Sequence, residues 1–192
     1  MRRNEERIGK MKNKEIERRF KITQEQKQEL LSFVKSNAKY LGEVRQFDIY
    51  YEPSFKEWEV DGKTIEALRI RTVGEKSTIN YKYIHREASP IYHDEYESEV
   101  SDAKQIENIL FALGFHRLIE IDKTRQTYML GDCEFDFESV ARLGDFLEIE
   151  LKGENCDVKR IFDMVEPFGL AEKDVTFDGI IKLMQNANKK SL

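Results

Sequence analysis

The sequence predicts an α+β protein: several strands forming an antiparallel sheet, with helices packed on its apolar face. Three observations lead there. Short segments with alternating charged and apolar residues recur from KEIERRFKI (14–22) to DFLEIEL (145–151). Four other segments carry apolar residues at helical spacing. The 192 residues include only three prolines and ten glycines, mainly between the patterned segments, and no repeat or linker divides them. We therefore expect a charged lead-in over 1–13 and a single domain over 14–190, long enough for a substantial core.

In chain order, the first strand sets Glu15, Glu17, Arg19 and Lys21 on one face and Ile16, Phe20 and Ile22 on the other. Thr23 is a plausible N-cap for a helix running to about Ala38 through Leu30, Leu31 and Val34. Strands follow. EALRIRTV alternates Leu68 and Ile70 with Arg69 and Arg71, and INYKYI opposes Lys82 to Tyr81 and Tyr83. DEYESEV puts Glu95, Glu97 and Glu99 on one face. A second helix after Ser101 uses Ile106, Ile109, Leu110 and Leu113, and Gly114 stops it. IDKTRQTYML then pairs Lys123 with Arg125. CEFDFESV groups Glu134, Asp136 and Glu138, and DFLEIEL groups Glu148 with Glu150. Two helices close the chain, one through Val158, Ile161, Phe162 and Val165 and one through Phe177, Ile180, Ile181 and Met184.

Composition narrows the function. Hydrophobic residues at 40% and charged residues at 36% describe a folded chain with a very polar face. Thirty-two Lys plus Arg against 37 Asp plus Glu leave a net charge of −5, which argues against a nucleic-acid partner. No apolar run reaches the length of a membrane span, and MRRNEERIGKMKNK resembles neither a signal nor a transit peptide, so we expect a cytoplasmic protein with no membrane partner. Cys133 and Cys156 lack the spacing of a zinc or redox motif.

The charged faces admit two readings. Either they are the wetted side of an open sheet, or the sheet curls into a barrel and they line its bore. Charges of one sign are grouped by strand, and like charges on one strand repel unless neighbouring strands offset them. A dry bore of such charges is costly, whereas one holding a divalent metal and a polyanion is not. Glu15 and Glu17 lie about 6.6 Å apart along an extended strand, suited to one ion or two neighbouring ions. Carboxylate oxygens suit Mg²⁺ or Mn²⁺, and strand-borne Arg and Lys suit phosphate. No phosphate-binding GxxxxGK[ST] loop, GxSxG elbow or HExxH helix is present, and His85, His93 and His116 read as surface or packing residues.

EIERR at 15–19 resembles the ExExK signature of the CYTH superfamily, the triphosphate tunnel metalloenzymes. The resemblance continues in order through FDIYYE, ALRIR, YKY, EYESEV, ILFALGF, DKTRQTY, FDFESV and LGDFLEIEL, and looks closest to the class IV adenylyl cyclase-like branch. It implies a closed or nearly closed antiparallel barrel of about eight strands with helices outside. It further implies Mg²⁺ or Mn²⁺ on Glu15, Glu17, Glu148 and Glu150. Arg19, Arg69, Arg71, Lys82, Lys123 and Arg125 would clamp a triphosphate, with Glu15, Glu17, Arg19 and Glu148 as the catalytic set. Asp136 and Glu97 match further acidic positions. The sequence departs from the family in three places: Arg19 stands where the signature ends in Lys, His93 where an Arg often precedes the acidic strand, and Thr176-Phe177 where Ser-Tyr is frequent. Arg86 is a candidate to supply the cation missing at His93.

The reactions implied are conversion of ATP to cyclic AMP and pyrophosphate, or hydrolysis of thiamine triphosphate, tripolyphosphate or a nucleoside triphosphate. A non-catalytic polyanion-binding module is the third reading, and a homodimer stays open.

Overall fold

A computed structural model describes residues 14–152, 157–176 and 179–190. The expectations about residues 1–13, Cys156 and Phe177 lie outside the described residues. In chain order the elements are β1 (Lys14–Ile22), α1 (Gln24–Asn37), β2 (Lys39–Pro53), β3 (Glu59–Val60), β4 (Lys63–Thr64), β5 (Glu66–Val73), β6 (Lys76–His85) and β7 (Tyr92–Val100). Then come α2 (Ala103–Ala112), β8 (Phe115–Leu130), β9 (Cys133–Val140), β10 (Gly144–Leu151), α3 (Lys159–Val165) and α4 (Ile180–Lys190), with two short 3₁₀ turns between the last two helices.

Eight strands close into a barrel in the order β1-β10-β9-β8-β2-β5-β6-β7, and every neighbouring pair is antiparallel. Local signals favour this arrangement. The Thr23 side chain accepts the Gln26 N–H and Gln26 returns a bond to the Thr23 N–H, so α1 starts at a full capping box. Asp102, one residue beyond Ser101, caps α2. Gly74 at φ 59° allows the two-residue turn that joins β5 to β6.

Alternation fixes what faces outward. Ile16, Phe20 and Ile22 of β1 join Phe135, Phe137, Leu147, Ile149 and Leu151 against Leu30 and Val34 of α1 and Ile161 and Val165 of α3. On the other side of the barrel, Tyr51, Leu68 and Ile70 pack against Leu110 of α2. Burying side chains of this size stabilises by about 1.5–3 kcal/mol each, so the helices hold the barrel wall from outside. The charged faces therefore turn into the bore, and the open-sheet reading falls.

Two features break the symmetry of the wall. Tyr50, Ile119, Ile121, Val140 and Phe146 share strand faces with the charged residues but pack against Ile180, Ile181 and Met184 of α4. One end of the bore is thereby apolar and covered by a helix. The joint between β1 and β7 is also short, pairing only Lys14 with Asp94 and Glu15 with His93. Beyond it the free edge of β1 is met by the C-terminal chain, through a Phe20–Val175 bridge and a 2.7 Å bond from the Thr176 N–H to the Arg19 carbonyl.

Candidate active site

The bore is built from side chains two residues apart on successive strands. Glu15, Glu17 and Arg19 come from β1, and Asp48 and Tyr50 from β2. Arg69 and Arg71 come from β5, Asn80 and Lys82 from β6, His93 and Glu95 from β7. Lys123 and Arg125 come from β8, Asp136 and Glu138 from β9, Glu148 and Glu150 from β10. Registers set which groups meet: Arg19 lies opposite Glu148, Glu148 opposite Asp136, and Arg125 opposite Glu138.

Charges of opposite sign interleave. Lys82 Nζ lies 3.0 Å from Glu15, 3.4 Å from Glu17 and 3.2 Å from Glu95. Arg19 bonds Glu148, and Arg125 reaches Asp136 at 2.7 Å, Glu138 at 2.5 Å and Glu148 at 3.5 Å. Arg71 grips Asp48 through Nε and Nη2 at 2.7 and 2.8 Å, while Lys123 bonds Glu138. Arg69 donates to the Tyr50 hydroxyl at 3.2 Å and sits 3.6 Å from Glu95.

This setting moves the titrations. Burial alone would raise Glu17, but Lys82, His93 and Arg19 outweigh it and hold the carboxyl down at about 2. Burial raises Glu15, helped by a hydrogen bond shared with Glu95, so that acid pair retains a proton above the usual carboxylate range. Burial would also lower Lys82, yet Glu17, Glu95 and Glu15 keep it cationic. Asp136 is pushed up to about 6 by burial, against the pull of Arg125 and Thr127. Burial brings His93 down to about 4, leaving a neutral imidazole at neutral pH.

A cavity of about 130 Å³ opens beside the short β1–β7 joint. Glu17, Arg19, Arg69, Lys82 and His93 are among its charged and polar lining, and Tyr50, Ala67, Ile84, Ile91, Val175 and Ile180 supply apolar surface. Arg86 lines it too, with its Nε bonded to the Thr64 carbonyl at 2.9 Å.

All the expected site residues except Glu97 lie within this network; Glu97 stays exposed at the rim, 3.4 Å from the Thr78 hydroxyl. The expected metal set is divided. Glu15 and Glu17 meet, whereas Glu148 is engaged by Arg19 and Arg125, and Glu150 by Lys152 at 2.6 Å. Glu15 and Glu17 offer oxygens of the kind a divalent cation takes, so the chemistry of the donors fits the metal that the resemblance implies. Asp48, Asn80, Glu95 and Glu138 were missed as site residues, and His93 is no surface histidine but part of the bore. Their signal in the sequence was parity: His93 shares its strand face with Glu95, and Glu138 with Asp136.

The CYTH domain family model matches residues 13–174. The chain belongs to the CYTH family. It is 26% identical over 174 residues to a Methanocaldococcus jannaschii protein provisionally named an adenylate cyclase, covering 90% of each chain. Among solved structures, the PH1012 protein of Pyrococcus horikoshii is 31% identical with a TM-score of 0.73, over 88% of this chain and 98% of that one. A Hippeastrum protein is similar at a TM-score of 0.56 and 15% identity, over 81% and 85% of the two chains; it is provisionally named an adenylyl cyclase and described as having a dominant triphosphatase activity. At that identity the likeness is one of fold. Among the described residues, no helix is long and apolar enough to cross a membrane.

Proposed function

We propose that this protein is a metal-dependent enzyme acting on an organic triphosphate, with conversion of ATP to cyclic AMP and pyrophosphate as the leading reaction. The observation that carries the reading is the cavity, whose lining offers both charged and apolar groups. Arg19, Arg69 and Lys82 converge on it from β1, β5 and β6. Tyr50, Ala67, Ile84, Ile91, Val175 and Ile180 line the same cavity. Cations suit phosphate oxygens, and an apolar wall suits a base or a thiamine ring. Inorganic tripolyphosphate would leave that wall without a partner.

The side chains divide the work. Arg19 and Arg69 present planar guanidinium groups to phosphate oxygens, and Lys82 a compact charge that its three carboxylates keep protonated. Arg71 and Lys123, paired with Asp48 and Glu138, hold the second rank of positive charge in place. Glu15 and Glu17 would hold a divalent cation, which would supply charge neutralisation on the phosphate oxygens. The apolar wall fixes which phosphorus meets the nucleophile. In the cyclase reaction the ribose 3′-hydroxyl gives up its proton to solvent, its oxygen bonds to the α-phosphorus, the bond to the bridging oxygen breaks, and pyrophosphate leaves.

The test is to incubate the purified protein with ATP, thiamine triphosphate and tripolyphosphate in Mg²⁺ and in Mn²⁺, following products by phosphorus NMR. Cyclic AMP and pyrophosphate from ATP are expected. Orthophosphate from any of the three replaces the cyclase by the hydrolase. Binding without turnover leaves a polyanion-binding module.

A further inference from the structure

We propose that Glu15, Glu17 and His93 together form a mixed carboxylate–imidazole cation site that favours Mn²⁺ over Mg²⁺. The proposal rests on the metal-dependent reading above but assigns a ligand and a selectivity that the reading does not need.

Three observations carry it. One donor atom from each of Glu15, Glu17 and His93 can be chosen so that all lie within 4.8 Å of one another. Donors bound to one octahedral ion at about 2.1 Å sit about 3.0 Å apart when adjacent and about 4.2 Å when opposite, so small side-chain rotations close the set. The imidazole is also built into place: His93 is the direct partner of Glu15 across the β1–β7 joint, and its side chain is only 13% exposed. Finally, His93 Nδ1 is buried with no hydrogen-bond partner, although Glu17 Oε1 lies 3.4 Å away. Buried polar nitrogens are rarely left so without a functional reason.

The surroundings point the same way. Lys82 approaches Glu17 through Oε2, which leaves Oε1 on the His93 side. Glu148 is taken up by Arg19 and Arg125, Glu150 by Lys152, and Glu95, which also bonds Glu15, by Asn80, Lys82 and Arg69, so the third donor grouped with the Glu15–Glu17 pair is a nitrogen. That changes the selectivity. Mg²⁺ is a hard ion that takes oxygen and dehydrates reluctantly, whereas first-row transition ions gain from imidazole. Mn²⁺ accepts both donor types, and its electron spin reports on them.

The test is pulsed EPR of Mn²⁺ added to the substrate-free, full-length protein. Nitrogen modulation is expected, and incorporation of histidine labelled with ¹⁵N in the imidazole ring alone should change its frequency, which excludes the Lys82 amine and backbone nitrogens. His93→Gln, checked for folding by circular dichroism, should abolish the modulation. It should weaken Mn²⁺ binding about tenfold or more. Mg²⁺ binding, measured by competition, should change less than about twofold. Bound Mn²⁺ without histidine modulation in the wild type overturns the proposal, and so does an equal loss of both ions in the variant. Should the variant not fold, the isotope shift in the wild type alone decides. Histidine-coupled Mn²⁺ without turnover of any triphosphate overturns the enzyme reading and keeps the site. Turnover without histidine coupling does the reverse.

Discussion

Glu107 on α2 and Glu138 on β9 are both almost wholly buried, at 2% and 0% exposure, yet their surroundings differ in kind. Glu107 uses both oxygens: Oε1 accepts from the Tyr51 hydroxyl and Arg117, and Oε2 from Lys104 at 2.7 Å. Its cations also reach solvent, so the cluster is complete in itself. Glu138 takes Lys123 and Arg125 on Oε1 alone and has no hydrogen bond on Oε2. Arg19 Nε, Arg69 Nε and His93 Nδ1, elsewhere in the bore, are likewise buried without a hydrogen bond. A charge cluster that serves the fold saturates its bonds, whereas one that serves a ligand holds some back.

That contrast breaks most sharply at Glu17. Glu17→Gln should cut triphosphate turnover by about 100-fold or more, with thermal melting essentially unchanged. Normal turnover in either metal would put the bore on the same footing as the Glu107 cluster. Glu107→Ala should do the opposite. Loss of its charged hydrogen bonds should cost about 2 kcal/mol in a denaturant titration, a figure kept modest because Arg117 and Lys104 are partly solvated. Its kcat should remain within about twofold of wild type.

Arg69→Lys comes next, keeping the charge but losing the guanidinium plane facing the cavity. A rise in KM of about tenfold with little change in kcat is expected, measured by steady-state kinetics. The smallest effect lies in the pH dependence of stability. The hydrogen bond from Arg117 outweighs burial and holds Glu107 down at about 2, against an ordinary 4.5. A depressed carboxyl contributes stability that is fully present above its unfolded value and lost as pH falls toward its folded one. Thermal melts of Glu107→Gln should therefore flatten between about pH 4.5 and pH 2 and leave the neutral side alone. An unchanged acid limb would remove Glu107 from the acid-sensitive groups.

Alternation showed most of the site from sequence, because parity alone assigns a residue to a strand face. Glu15, Glu17, Arg69, Lys82, Arg125 and Glu148 all follow from it. Parity does not say how strands are staggered around a barrel, and stagger decides which charges meet. Arg19 lies 3.9 Å from Glu138, two strands away, and Lys82 on β6 reaches Glu17 on β1 past β7. Those distances sort the expected metal carboxylates into ones that meet and ones held by cations. His93 was passed over because one histidine among acids matches no ligand spacing. The apolar wall was illegible for a different reason: Val175 and Ile180 reach the cavity only because the C-terminal chain returns to β1.

The short joint between β1 and β7 also bears on how the molecule is made. The strand carrying Glu15, Glu17 and Arg19 has β10 along one edge and, along the other, β7 at Lys14 and Glu15 and the segment around Val175 beyond. Contacts this distant in sequence form slowly, because the intervening chain must first be closed into a loop. β1 must wait for β7 before its first two pairs form, and for β10 and the segment around Val175 before the rest of either edge is paired. A partly made barrel then has Arg69 and Arg71 in place but no closed wall, and the candidate site is among the last parts to be assembled.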